Sequence, residues 1–156
     1  MINSLTDDVY YNGRFRLRQP SKGYRAGSDA MLLAAAIEAD AGDKILELGC
    51  GAGAVLCAIA CRLDNAQLFG LEQHAGLAEL ARYNLQQNGF SGDIKNQRIQ
   101  ERGAWQANSM DQVIANPPYY AANHSQISPN KQRDASHRHQ DNESLADWCR
   151  AARHWL

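Results

Sequence analysis

The sequence predicts an α/β protein with a doubly wound, mostly parallel sheet, and three observations carry that prediction. Lys44 to Ala54 reads K-I-L-E-L-G-C-G-A-G-A, a short apolar run closed by glycines, and the Ala-rich stretch Ala54 to Leu63 follows it. Strand, glycine turn and helix make the first half of a nucleotide-binding βαβ unit, whose turn lets a ligand approach bare backbone. Further strand-like runs then alternate with helical periodicity, as a parallel sheet requires. The chain has 156 residues, enough for one domain with a real core.

Composition narrows the function classes. The formal net charge is −1, so no global field favours nucleic acid or membrane, and any such preference must come from a local patch. No apolar run reaches the roughly 18 residues of a transmembrane helix. The start, M-I-N-S-L-T-D-D, lacks the basic and apolar regions of a signal peptide. Cys50, Cys57, Cys61 and Cys149 form no C-x-x-C pair and have no histidine interleaved at zinc spacing. Reduced structural thiols, no metal and no membrane partner are expected, in a soluble cytoplasmic protein.

The elements follow in chain order. Val9 to Leu17, V-Y-Y-N-G-R-F-R-L, predicts a hairpin turning at Asn12-Gly13, because a type I′ turn needs two residues with positive φ. From Val9 to Ser28 there are five basic residues (Arg14, Arg16, Arg18, Lys22, Arg25) and no acid. That is either a solvated face or a flap that touches phosphates, and Tyr10, Tyr11, Phe15 and Tyr24 either pack or stack on bases. Ser28-Asp29 reads as the N-cap of a helix that Gly42 ends. Leu68 to Leu71 is a second strand, closing at Glu72, where an acid accepts hydrogen bonds from both hydroxyls of a ribose. Ala75 to Asn88 is helical, with Gly89 as its C′ residue. Ile94 to Ile99 is a weak third strand, and Met110 to Ala115 is a clearer fourth. Glu143 to Leu156 reads as a helix capped by Ser144. The expected division is a basic hairpin and helix over 1–40 and a ligand-binding domain over 41–156.

The glycines alone fit the permissive dinucleotide pattern. Two features pull away from a nicotinamide oxidoreductase. Glu47 stands two residues before the first glycine, where a carboxylate suits an amino-bearing ligand. Asn116-Pro117-Pro118-Tyr119 then follows the fourth strand directly. Prolines end a strand without help, but they do not call for Asn before them and an aromatic after. An exocyclic or amide nitrogen has its lone pair delocalised and is a poor nucleophile. The Asn116 oxygen and the Pro117 carbonyl can each accept one of its N–H bonds, which orients the amine toward an electrophile. Tyr119 can stack on a flat base or amide.

E-L-G-C-G-A-G followed by N-P-P-Y resembles the class I S-adenosylmethionine-dependent methyltransferases that modify exocyclic or amide nitrogens. Gly23 to Ala34, G-Y-R-A-G-S-D-A-M-L-L-A, is similar to the G-Y-R-F-S-x-D-A-x-L-L-A segment of the bacterial tRNA(Val) adenine-N6 methyltransferase-like family. Arg138-His139 and then S-L-A-D-W-C-R-A-A keep that family's order. The resemblance implies a Rossmann-like fold, S-adenosyl-L-methionine as cofactor and methyl transfer to adenine N6 in tRNA. It implies that Glu47, Gly49, Cys50, Gly51 and Gly53 line the methionine and ribose, and that Glu72 holds the ribose hydroxyls. Gln73 then lies beside the adenine, Asn116 also borders the cofactor, and Asn116, Pro117 and Tyr119 hold the target nitrogen.

Some positions depart from the family pattern. Gln100 and Glu101 stand where the family has an Asp near the end of the third strand, and Ala26 and Gly27 replace bulkier residues. The family's seven-stranded sheet also implies a chain truncated after the fourth strand and its following helix. The open edge so left is expected to pair with another chain, a route to a homodimer. The alternatives are a protein glutamine-N5 methyltransferase of the release-factor type and a non-catalytic cofactor-binding fragment. Ala121 to Arg133, with His124 and Lys131, reads as a phosphate-binding lip or a plain solvated loop. His137 and His139 are not expected to hold metal.

Overall fold

The structure is a computed structural model that describes residues 4–117 and 143–156. It opens with a hairpin of β1 (Leu5–Tyr10) and β2 (Phe15–Pro20), paired antiparallel from Leu5↔Pro20 to Tyr10↔Phe15. This register leaves Tyr11 to Arg14 in the loop, two residues more than a type I′ turn. Tyr11, Asn12 and Gly13 all take positive φ. Aromatic packing accompanies the longer loop. Phe15, 1 % exposed, stacks on Tyr10 with ring centroids 5.4 Å apart and sits 6.1 Å from Tyr11.

The other edge of β2 is completed by side chains. Arg16 N–H donates to Asn88 Oδ1 and Asn88 Nδ2 donates back to the Arg16 carbonyl, while Arg18 makes the same exchange with Asn84. Two asparagines thus do the work of a neighbouring strand. Asn84 is fully buried and also donates to the Ala52 carbonyl, tying the hairpin to the glycine turn. Hairpin pairing corrects one expectation. Asp7 and Asp8, just outside the acid-free window, meet Arg18 at 3.0 Å and Arg25 at 2.7 Å. The basic stretch is partly neutralised.

The main sheet runs β5-β4-β3-β6 and is parallel throughout, with β3 at Lys44–Leu48, β4 at Gln67–Glu72, β5 at Asp93–Asn96 and β6 at Gln112–Ala115. Side chains alternate between its faces. Ile45, Leu68, Ile94 and Ile114 join one apolar cluster with α1 (Ser28–Ala35), α2 (Ala54–Ala60), the buried face of α3 (Ala75–Gln87), and Phe15 and Leu17 of the hairpin. Leu46, Leu48 and Leu71 face the other way, against Met110, Ile99 and the Ala151 and Trp155 side of α4 (Leu145–Trp155). Helices on both faces make the sheet doubly wound, as the sequence predicts. Gly70 makes the first cluster possible: a Cβ there would lie 2.7 Å from Ile94 Cδ1 and 2.8 Å from Cys50 Sγ.

Several boundaries differ from expectation for local reasons. Helix α1 stops at Ala35, well before Gly42, because Arg62 Nη2 donates to the Ala34 carbonyl at 2.9 Å and also to that of Ile37. Strand β5 stops at Asn96, whose Nδ2 donates to the Glu72 and Gln73 carbonyls. Helix α4 starts as predicted, with Ser144 and Asp147 forming a capping box. The outer edge of β6 pairs with no other described strand. Beside it lies a cleft of about 200 Å³ lined by Leu48, Val113, Ala115, Pro117, Trp148 and Cys149 among others. All four cysteines are free thiols. Among the described residues no helix is long and apolar enough to cross a membrane, and no group of His, Cys, Asp and Glu could hold a metal ion.

Replacing Asn84 by Ala removes the partners of one part-buried donor and two carbonyls at once. The expected cost is about 2–4 kcal/mol in urea unfolding, against about 1 kcal/mol for the more exposed Asn88→Ala. Equal, small losses for both variants would mean that the asparagines do not stand in for a strand.

Candidate functional site

The site grows out of the carboxyl edge of the sheet. Parallel pairing aligns Leu48 of β3 with Leu71 of β4 on one side and with Ala115 of β6 on the other. The residues that follow each strand therefore leave the sheet together: the glycine turn, Glu72-Gln73 and Asn116-Pro117. In a parallel sheet this edge is where ligands are met.

Gly49, Gly51 and Gly53 all adopt positive φ, which residues with a Cβ rarely take. Two of them are also required for space. A Cβ on Gly49 would stand 2.9 Å from Cη2 of Trp148, so the indole of α4 covers the start of the turn. A Cβ on Gly53 would press on Ala81 of α3 at 3.2 Å, so this glycine lets α2 and α3 pack closely. The Cys50 thiol belongs to the apolar cluster under Gly70, and burial raises its pKa well above the ordinary value. Its backbone is engaged within the fold: the Cys50 N–H donates to the Leu71 carbonyl at 3.0 Å and its carbonyl accepts the Gly53 N–H at 2.8 Å.

Two buried carboxyls flank this turn. Glu72, 5 % exposed, accepts the Gly51 N–H on Oε2 at 2.9 Å and the His74 N–H on Oε1 at 2.8 Å. It thus grips the glycine turn from the end of the neighbouring strand. Glu47, 3 % exposed, is different, since its Oε2 is buried with no hydrogen-bond partner. Burial first, and then the charge of Glu72, push the Glu47 pKa well up. An orphaned acceptor beside bare backbone is what an amino-bearing ligand satisfies.

Across the edge, Asn116 is partly buried, and its Nδ2 donates to Asp29 Oδ2 at 2.7 Å and to Tyr24 Oη at 3.2 Å. This corrects the N-cap expectation. The N-cap of α1 is Gly27, with no side-chain cap bond, and Asp29 turns instead to Asn116 and Tyr24. Burial alone would raise the Asp29 pKa, but hydrogen bonds from Tyr24, Asn116 and the first-turn N–H groups outweigh it and lower it. Pro117 follows Asn116 and lines the cleft beside β6.

The other candidates are scattered. Gln73 lies at the edge, its carbonyl held by Asn96. Gln100 donates to Glu143 at 2.7 Å, and Glu101 is exposed. Tyr119 and Pro118 lie outside the described residues, as do the 121–133 segment with His124 and Lys131, and His137, Arg138 and His139. Sequence reasoning missed Asp29, Tyr24 and Trp148 as site residues. The Gly23–Ala34 and S-L-A-D-W segments contained them without indicating where they dock.

Comparison with known proteins gives a consistent result. A family model described as methyltransferase small domain matches residues 24–137. The curated tRNA1(Val) (adenine(37)-N6)-methyltransferase of Flavobacteriaceae bacterium (strain 3519-10) is 28 % identical, over 79 % of this chain and 54 % of its own. Its counterpart in Porphyromonas gingivalis (strain ATCC BAA-308 / W83) is 29 % identical, over 95 % of this chain and 61 % of its own. The chain thus spans a little over half the length of these relatives. Among solved structures, a predicted O-methyltransferase from Agrobacterium tumefaciens superimposes with a TM-score of 0.52 at 34 % identity, covering 58 % of this chain and 49 % of that one. A SAM-dependent O-methyltransferase from Thermotoga maritima shares the fold at a TM-score of 0.52 and 24 % identity, covering 62 % and 37 %.

The raised pKa of Glu47 has a signed consequence for stability. Above the ordinary value of 4.5 the unfolded chain ionises this carboxyl while the fold keeps it protonated. The native state then binds the extra proton, so stability falls as pH rises toward the native pKa. Glu47→Gln keeps the size and removes the loss. In urea unfolding as pH is raised from about 4.5, the variant should gain on the wild type. Parallel pH profiles would show that Glu47 is not held neutral.

Proposed function

Because this chain belongs to the methyltransferase small domain family, we propose that it forms the cofactor-binding and catalytic part of an S-adenosylmethionine-dependent N-methyltransferase acting on adenine N6 in tRNA. The observation that carries this reading is the register of β3 and β6. One residue beyond the Leu48↔Ala115 pair, Gly49 and Asn116 leave the sheet side by side. The ligand-cradling turn and the amine-holding asparagine therefore share one edge.

The residues present fit the cofactor. When bound, S-adenosylmethionine supplies an electrophilic methyl group on a sulfonium sulfur. Glu47, whose buried Oε2 has no partner, would accept hydrogen bonds from an amino group. Glu72 uses one lone pair on each oxygen for Gly51 and His74, and each oxygen can accept one more hydrogen bond, which suits a pair of ribose hydroxyls. The bare backbone of Gly49 and Gly51, and the thiol-free face of Cys50, would lie along the ligand, and Gln73 would flank its base. Gly53 contributes by letting the turn sit close to α3.

On the acceptor side, Asn116 Oδ1 and the Pro117 carbonyl would take the two N–H bonds of the target amine. Both acceptors are preorganised by the end of β6, so the amine is oriented without a metal ion, and positive charge growing on nitrogen is met by oxygen dipoles. Tyr119 would stack on the flat base. Exposed Arg14, Arg16 and Lys22 have no acidic partner among the described residues and would meet phosphates. Curated relatives named for adenine N6 of a tRNA support this substrate over a protein amide.

The test is transfer of labelled methyl to bulk tRNA. Label should appear in N6-methyladenosine after nuclease digestion. Asn116→Ala should lower the rate by about 10²–10³ while cofactor affinity stays near that of wild type. Label in a release factor instead would move the reading to glutamine N5. Cofactor binding with no transfer to either acceptor would overturn catalysis by this chain.

A further inference from the structure

An amide has a donor end and an acceptor end of nearly equal shape, and a 180° flip exchanges them. For Asn116 that flip decides everything, since only Oδ1 can accept from an amine. Its surroundings choose the flip chemically. Asp29 Oδ2, 2.7 Å from Nδ2, is a carboxylate oxygen and can only accept. Tyr24 Oη donates to the same carboxylate oxygen at 2.7 Å, so it faces Asn116, 3.2 Å away, as an acceptor as well. Two acceptors at one end of the amide require the NH2 group there, which sets Oδ1 at the other.

We propose that Asp29 is a positioning residue for methyl transfer, holding Asn116 in the flip that offers Oδ1 to the target amine, with Tyr24 steadying the carboxylate. The inference rests on the methyltransferase reading and deepens it. Asp29 suits the task because it comes from another part of the chain. It lies 87 residues from Asn116, in the first turn of α1, where first-turn N–H groups help to keep it ionised. Gly27 leaves it room, since a Cβ there would be 3.0 Å from Asp29 Oδ1. A charged acceptor on Nδ2 also polarises the amide and makes Oδ1 a stronger acceptor, which counts most when the amine nitrogen gains positive charge.

The test compares the full chain with Asp29→Ala, Asp29→Asn and Tyr24→Phe in steady-state methyl transfer, cofactor titration and thermal unfolding. Asp29→Ala should lower kcat by about 10–100-fold, with KM for RNA and cofactor affinity within about threefold. Asp29→Asn, which can turn its amide oxygen to Asn116 but carries no charge, should recover part of the loss. Tyr24→Phe should cost about three- to tenfold. Wild-type kcat in Asp29→Ala overturns the proposal, and so does a loss confined to cofactor affinity or thermal stability. A second readout is independent of turnover. The Asn116 side-chain amide protons, assigned by their disappearance in Asn116→Ser, should resonate downfield and exchange slowly in wild type and lose both features in Asp29→Ala. Unchanged amide signals overturn the proposal even if no acceptor is methylated. Absence of transfer by the wild type, with the amide signals behaving as stated, would sink the methyltransferase reading and leave the Asp29 contact established.

Discussion

The parallel pairing of β3 with β4 on one side and β6 on the other is the constraint on which the site depends. Parallel strands share a direction, so three chain segments from distant parts of the sequence end on one edge. The glycine turn, the Glu72 carboxylate and Asn116 are neighbours for that reason alone. Were any one of these strands to slip by a residue, its side chains would change faces, and Leu46 and Leu48 could not both reach the α4 cluster while Ile45 reaches α2. The two apolar clusters therefore hold the register, and the register holds the site.

Within that frame the two buried glutamates are treated in opposite ways. Glu72 has backbone N–H groups on both oxygens and serves as part of the scaffold that shapes the turn. Glu47 has a buried oxygen with no hydrogen-bond partner among the described residues, and burial and its neighbour's charge push its pKa well up. Buried polar atoms without partners are rare, because each forfeits its hydrogen bonds to water. A local sacrifice of stability at the carboxyl edge of a parallel sheet is the pattern expected where a ligand completes the hydrogen bonding.

Side chains also stand in for backbone at several places where the fold has no regular partner to offer. Asn84 and Asn88 pair the free edge of β2, Arg62 closes the end of α1, and Asn96 ends β5 against the carbonyls of Glu72 and Gln73. Such substitutions explain why α1 and β5 are shorter than the sequence pattern suggests. Apolar periodicity continues past these points, but a distant polar group has already satisfied the carbonyls that a longer element would use.

By itself the sequence determined the parts whose signals are local. The K-I-L-E-L strand, the glycine turn, the helix after it, the alternation of strands and helices, and the N-P-P-Y segment could all be read because each depends on neighbours a few residues away. The hairpin was legible in place but not in loop length, which accompanies the packing of Phe15 against Tyr10 and Tyr11. Only the tertiary structure decided which residues meet. It brought Asp7 and Asp8 to Arg18 and Arg25, Trp148 over Gly49, and Asp29 to Asn116. Asp29 had a sufficient local reading as a helix cap, and nothing within its own turn distinguishes a carboxylate that caps a helix from one that reaches across to another strand. Short-range pattern records what a residue can do. The packing of α1 and α4 against the sheet selects what it does, because hydrogen bonds and van der Waals contacts act over a few ångströms of space and not along the chain.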